Sequence, residues 1–494
     1  MTTFTPPPEL MPLLDALAPL ARAAGIDAYV VGGTVRDVLL RRPCHDLDLA
    51  VSGDALAWSR GVAASLGGHF VLLDDEHAVA RIVLPAPRAD AVAHIDVAAL
   101  QGGLDADLRR RDFTVDAMAA PLGAGDLIDP CGGLADIAAR LVRMTAPAVL
   151  DDDSLRLLRG ARIAAELGFA VEDATAAAIR DRAPRVNNAA AERRRDELSR
   201  IFATDDAYGA VRLLDALGLL DALLPEVGAG RGVSQSWHAY DVFEHSLRAV
   251  EAADVLLAPA RPAHDGAWMW DALWRIFAWC EDDLRAYLAE ELSEGRSRAS
   301  LLKIAALLHD VAKPQTRSVE PGGRTRFFGH AVAGAAVARA IMRRLRFSSR
   351  EAAFVALLVE EHLRPVQLAR IGEAPTRRAL YHFHRDLGDA AQAVLLLALA
   401  DAAAARGPEM TREGWTAQAM YMNSVLVRSR EEEGILAPPR LLSGHDIMSA
   451  LGIEAGPEVG RLLEALREAQ AAGEVRDRDE ALAFVKDAAR EGHG

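Results

Sequence analysis

Tyr29-Val30-Val31-Gly32-Gly33-Thr34-Val35-Arg36-Asp37, followed shortly by Asp46-Leu47-Asp48, is the stretch that decides the fold of the N-terminal part of this chain. An apolar strand runs into a glycine pair, and the pattern predicts a helix from Thr34. A second strand then carries carboxylates at i and i+2, which the period of a strand turns to one face. Glycine lets backbone N–H groups approach a phosphate with no Cβ in the way, and the start of the following helix adds favourable partial charge. Gly32 and Gly33 are therefore phosphate-binding candidates, and Arg36 offers a bidentate cationic contact. Oxygens of Asp46 and Asp48 suit a pair of Mg²⁺ ions. Glycine pairs alone are common turn chemistry and a DxD alone is usually a solvated strand end. Their order and spacing together mark a metal and phosphate site.

Further segments follow in order: Leu108-Arg109-Arg110-Arg111-Asp112-Phe113-Thr114-Val115-Asp116-Ala117; Asp129-Pro130-Cys131-Gly132-Gly133 with Asp136; Asp152-Asp153-Ser154-Leu155-Arg156 with Arg159 and Arg162; and the helical run 192–201. With these, the first half of the chain resembles the nucleotidyltransferase family of bacterial tRNA CCA-adding enzymes and poly(A) polymerases. The resemblance implies attack by an RNA 3′-hydroxyl on the α-phosphate of CTP or ATP, with tRNA as acceptor and pyrophosphate leaving. It makes Asp46 and Asp48 the catalytic Mg²⁺ ligands, and Gly32, Gly33, Arg36, Arg111, Asp112, Asp153, Arg156 and Arg159 the nucleotide-binding set. Asp96 lies in an apolar strand and is open to two readings, a third carboxylate of the site or a core-edge residue.

Asp153 and Arg156, at i and i+3, are expected on one helical face. Together they accept from an exocyclic amine and donate to the neighbouring ring acceptor, a pattern that cytosine and adenine both satisfy. Uracil and guanine would leave buried groups unpaired at roughly 1–3 kcal/mol for each mismatch. Two departures from the family pattern matter. Asp116 stands where the family usually has Asn, and only residues 98–108 separate Ile95-Asp96-Val97 from the arginine run. Complete CCA-adding enzymes carry a longer flexible loop there, so the shortened connection resembles the CC-adding members.

The second half carries most of the histidines. His309-Asp310 ends an apolar run, with His245 upstream and Asp401 downstream, an order similar to the HD phosphohydrolase superfamily. That likeness implies a divalent ion, a transition metal or Mg²⁺, held by His245, His309, Asp310 and Asp401 to activate water. His330 and His362 match further histidines of that superfamily, as binders of substrate phosphate or of a second metal.

The expected architecture is an α/β nucleotidyltransferase head (small mixed sheet with helices) over 1–145, an all-α neck over 146–227, a helical HD domain over 228–420 and a small helical tail over 421–494. Pro225 and the glycines at 228, 230 and 232 read as a linker, and the acidic segment 281–294 as a solvated helix pair. The net charge of −15 argues against a protein that coats nucleic acid non-specifically, yet leaves room for local contacts at Arg109–Arg111 and Arg193–Arg195. Three scattered cysteines point to a reduced, cytoplasmic compartment. The sequence shows no signal peptide and no apolar run long enough to span a membrane, so no membrane partner is expected. Two rivals stand: a poly(A) polymerase, and an HD phosphohydrolase whose head only binds RNA or nucleotide.

Overall fold

The computed structural model describes residues 2–85, 92–235, 239–264, 266–368, 375–431 and 440–491. The chain divides into two compact units, one of residues 1–197 with 213–223 and one of 198–212 with 224–494.

The elements of the first unit that position its site are, in chain order, α1 (Met11–Ala24), β1 (Ala28–Val31), α2 (Gly32–Leu39), β2 (Asp46–Val51), α3 (Ala55–Leu66), β3 (His69–Asp74), β4 (Val79–Val83), β5 (His94–Ala99), α4 (Leu104–Arg109), β6 (Ala119–Pro121), α5 (Val149–Asp152), α6 (Leu155–Leu167) and α7 (Ala191–Phe202). The sheet order is β3-β4-β5-β2-β1-β6. Among the described residues of this sheet only β2 and β5 pair in parallel, so the sheet is mixed, as expected. Alternation in β2 separates two tasks. Leu47 and Leu49 enter a core with Val30, Ile82, Ile95 and Val97 under Leu14, Leu17, Trp58 and Val62 of α1 and α3. Asp46 and Asp48 consequently face the other way. Each such fully buried aliphatic side chain contributes roughly 1.5–3 kcal/mol, which locks the register and with it the direction of the carboxylates.

In the second unit α8 (Val242–Leu257), α9 (Arg298–Leu308), α10 (His330–Arg344), α11 (Ser349–Glu361) and α12 (Ala391–Arg406) form a helical bundle. The segment Arg377–Arg406 is apolar enough over an 18-residue window to resemble a membrane span, but 67% of that window is buried in this bundle. Ile447, Leu462, Leu466 and Val485 give the C-terminal helices a core of their own.

Three expectations are corrected. The segment 281–294 is one helix, Glu281–Ala289, followed by the hairpin strands Glu291–Ser293 and Arg296–Ser297, because Gly295 takes a positive φ of 70° that turns the chain. Pro225–Gly228 is a short helix, with proline in the first turn where its missing N–H costs nothing. The helix Arg412–Glu431 runs across the expected border at 420/421.

Candidate active sites

The head site is built where β1 meets α2. Gly32 sits at φ 66°, and a Cβ there would lie 3.0 Å from Nη1 of Arg111 and 3.4 Å from Oδ2 of Asp48. Glycine is needed on both counts. The Asp48 N–H donates to Thr34 Oγ1 at 2.9 Å, which fastens β2 to the first turn of α2. Asp48 and Asp96 are opposite each other in the parallel register of β2 and β5, and Asp96 is held by two 2.8 Å bonds from Arg81. Asp46 lies one strand period away with its side chain 53% exposed. Asp46, Asp48 and Asp96 thus lie near one another on β2 and β5, with both Asp96 oxygens engaged by Arg81.

Burial first, then the charges of Asp46 and Asp96, push the Asp48 carboxyl up to about 7. Such a group asks for a cation, and three oxygen ligands fit Mg²⁺. Asp48 binds its proton more tightly folded than unfolded, so the metal-free fold loses stability as pH rises from about 4 towards 7, and a bound cation restores it. Below about pH 7 the proton competes with the ion, so the Mg²⁺ concentration giving half-maximal nucleotide addition should rise about tenfold between about pH 8 and pH 6. Mg²⁺ titrations at the two pH values, with a metal-free thermal melt alongside, check this; an unchanged requirement would place the metal elsewhere.

Arg36 departs from its expected part as a phosphate clamp. It is buried, donating to Asp116 at 2.6 Å and twice to Asp37 at 3.0 Å. Asp116 thus acts as an acceptor, a role its carboxylate fills as well as an amide oxygen would. Two cations stand at the glycines: Arg36 Nη2 beside Gly33, and Arg111 beside Gly32, whose Nε is buried with no hydrogen-bond partner among the described residues. Asp112 and Arg159 are joined at 3.0 Å, and Arg162 bonds Glu197 at 2.5 Å, so these residues fix α6 and α7 around the motif.

Asp153 and Arg156 are not on one helix. Asp153 is extended (φ −144°, ψ 112°) between α5 and α6 and caps the Leu155 N–H at 3.0 Å. Its carboxylate takes 2.7 Å and 3.3 Å bonds from Arg193 of α7. Arg156 Nη1 donates to the Val149 carbonyl at 3.0 Å. Arg193, read only as part of a basic cluster, is therefore the residue that orients Asp153.

The second site lies in the bundle. His245 comes from α8, His309-Asp310 from the end of α9, Asp401 from α12, His330 from the first residue of α10 and His362 from the end of α11. The His245 Nε2 atom is 3.0 Å from His309 Nε2, 3.2 Å from Asp310 and 3.1 Å from Asp401. Asp310 also faces Nε2 of His330 at 3.4 Å and of His362 at 3.9 Å. Two ligand groups of metal-binding geometry result, sharing Asp310. The Nδ1 atoms of His309, His330 and His362 each meet a carbonyl three residues back, at 2.8, 2.7 and 2.7 Å. That fixes Nδ1 as the donor and turns Nε2 towards the carboxylate. Asp310 is fully buried, with Lys313 Nζ 2.5 Å from Oδ2. Burial works to lower His309, yet Asp310 and Asp401 raise it to about 10, whereas burial and the charge of His309 lower His362 to about 4. The pocket selects positive charge, and the donor set fits a divalent metal. Lys313 and Gln235, bonded to each other beside Asp310, were not singled out from sequence.

Residues 28–143 match the poly A polymerase head domain, 168–229 the probable RNA and SrmB-binding site of polymerase A, and 284–406 the HD domain. The chain is 38% identical over 474 residues to the A-adding tRNA nucleotidyltransferase of Deinococcus radiodurans, covering 94% of this chain and 96% of that one. The chain belongs to the tRNA nucleotidyltransferase family. It is 36% identical to the CC-adding tRNA nucleotidyltransferase of Thermus thermophilus, over 93% of both chains. A solved CCA-adding enzyme with ATP has the same fold, with a TM-score of 0.61 at 19% identity over 98% of this chain and 95% of that one. As a family member the protein is an RNA nucleotidyltransferase with an HD domain, and the poly(A) polymerase reading is less supported.

Proposed function

We propose that the protein adds C residues to the 3′ end of tRNA from CTP, releasing pyrophosphate, and adds the terminal A from ATP poorly. The observation that carries the reading is the Asp46/Asp48/Asp96 cluster beside the Gly32 elbow. Mg²⁺ held there would neutralise the triphosphate and activate the 3′-hydroxyl. The glycine elbow leaves room for the phosphates, Arg111 faces them, and Asp153, oriented by Arg193, stands with Arg156 to read the base. Protein side chains thereby take the place of a template.

Support for C over A comes from the connection after β5. Residues 104–109 already form α4, with its N-terminal flank closed by Gly102 and Gly103, both at positive φ. Cytosine and adenine differ in ring size, so one Asp153/Arg156 pair serves both only if a segment reshapes the pocket. Full-length relatives named for A addition and for CC addition both exist, so the decisive experiment offers ATP alone to a tRNA ending in CC. We expect little extension; efficient conversion to CCA would make this an A-adding enzyme.

The HD site supports metal-dependent phosphatase or phosphodiesterase action, with an imidazole-rich set that suits a transition metal better than Mg²⁺. Three free cysteines are consistent with work in a reducing cytoplasm.

A further inference from the structure

At the end of α2 the Arg41 N–H donates to the Val38 carbonyl at 3.1 Å and the Arg42 N–H to the Asp37 carbonyl at 2.8 Å. Closing a helix in this way requires a left-handed residue, and here it is Arg41, at φ 55°. The same task at the ends of α1, α3 and α6 falls to Gly25, Gly67 and Gly168, at φ 66°, 67° and 63°. A Cβ crowds the neighbouring carbonyl in this conformation, and glycine has none. Arg41 therefore destabilises the turn relative to glycine, and strain kept at one position points to a task for its side chain.

Within the fold that side chain has no task. It is exposed, and its guanidinium forms no hydrogen bond or ion pair among the described residues. Its neighbour Arg42 is engaged: Nη1 donates to the Glu166 carbonyl at 3.1 Å, at the end of α6, and Nε lies 3.7 Å from Asp37. Arg140 is left-handed too, at φ 55°, but donates to the Gly168 carbonyl at 3.2 Å and lies 5.6 Å from the centre of the Phe169 ring. There the side chain offsets the strain from inside the protein. At Arg41 the compensation comes from outside it.

The position of Arg41 identifies the missing partner. A free guanidinium selects an anion, phosphate above all. The triphosphate belongs to the other end of α2, at the Gly32 elbow, and the helix of eight residues places Arg41 about 12 Å further on. From Arg41 the chain passes only through 42–45 before reaching Asp46, so the two lie within about 18 Å of each other. An anion that starts at the carboxylates and extends beyond a nucleotide is the sugar-phosphate backbone of the RNA being extended.

We propose that Arg41 is a positioning residue for the acceptor strand, holding a phosphate upstream of the reacting 3′ end without reading sequence. This rests on the reading of the head as the site of tRNA extension. A cation at a helix C-terminus also gains from the macrodipole, and one substitution separates the two accounts.

Wild type, Arg41→Gly and Arg41→Lys are compared in thermal melts, in Kd for a labelled tRNA transcript lacking CCA at several salt concentrations, and in extension of that transcript with CTP. Arg41→Gly should melt at or above the wild-type temperature while Kd and KM for the transcript rise about three- to fivefold, the scale of one exposed charged contact. The slope of log Kd against log salt should fall by about one, with kcat at saturating tRNA and KM for CTP unchanged. Arg41→Lys keeps the charge without glycine's freedom, so it should retain most of the binding and show no gain in Tm. Unchanged Kd and salt slope in Arg41→Gly would overturn the proposal, and a lowered Tm beside them would assign Arg41 to the helix dipole. A raised KM for CTP would overturn it in favour of the triphosphate. A wild type that binds the transcript without extending it would contradict the extension reading instead, and the Kd comparison would still decide Arg41; a wild type that fails to bind it would overturn both.

Discussion

Asp48→Ala should lower nucleotide addition by roughly 10³-fold or more while the protein stays folded, the scale at which one preorganised electrostatic contact at the reacting centre counts. The side chain lies between Asp46 and Asp96 at the Gly32 elbow, and its burial means that no water replaces the lost oxygen as a metal ligand. Stability should move the other way. The carboxyl is held up at about 7 by burial and its acidic neighbours, so removing it relieves repulsion, and the metal-free variant should melt no lower than wild type at neutral pH. Asp46→Ala should lose activity similarly with a smaller effect on stability, because its side chain is half exposed. Single-turnover extension together with thermal melts separates these outcomes. Near wild-type turnover in folded Asp48→Ala would remove the carboxylate cluster from the chemistry.

Asp310→Ala should abolish metal-dependent phosphoester hydrolysis and leave nucleotide addition intact. Asp310 is the residue shared by both ligand groups of the bundle, so its loss disrupts His245/His309 and His330/His362 together. It also leaves Lys313 buried with its carboxylate partner gone, a loss on the order of 3–5 kcal/mol for a broken buried pair. Asp310→Asn, which keeps the shape, is the companion variant. Metal content, hydrolysis and tRNA extension measured on both distinguish a lost metal site from a collapsed bundle. Loss of extension in folded Asp310→Asn would tie the two activities together.

What the sequence disclosed were the features whose meaning is local. The elbow at Gly32, the alternation Asp46-Leu47-Asp48 and the His309-Asp310 pair are each dictated by neighbours in the chain, and the structure shows all three, with the helix after β1 starting at Gly32 rather than at the expected Thr34. Arg36 and Arg193 were misjudged because their partners are distant: Asp116 is 80 positions from Arg36, and Asp153 is 40 from Arg193. A motif shows that an arginine is present and says nothing of which carboxylate claims it. The placement of Asp153 on a helix was a readable error. Asp153-Ser154 before Leu155 is a helix-start signature, and the carboxylate does cap the Leu155 N–H. The hairpin at Gly295 was hidden by acidic composition, which suits a solvated helix as well as an exposed turn.

The central claim is that the glycine elbow and its carboxylates extend tRNA under the direction of side chains alone. It is tested most directly by giving the purified protein a tRNA transcript lacking CCA, with each of the four nucleoside triphosphates singly, and sizing the products to single-nucleotide resolution. Extension is expected with CTP alone, stopping after the two C residues of the CC end. No extension, extension with UTP or GTP, or a long homopolymer from ATP would contradict it.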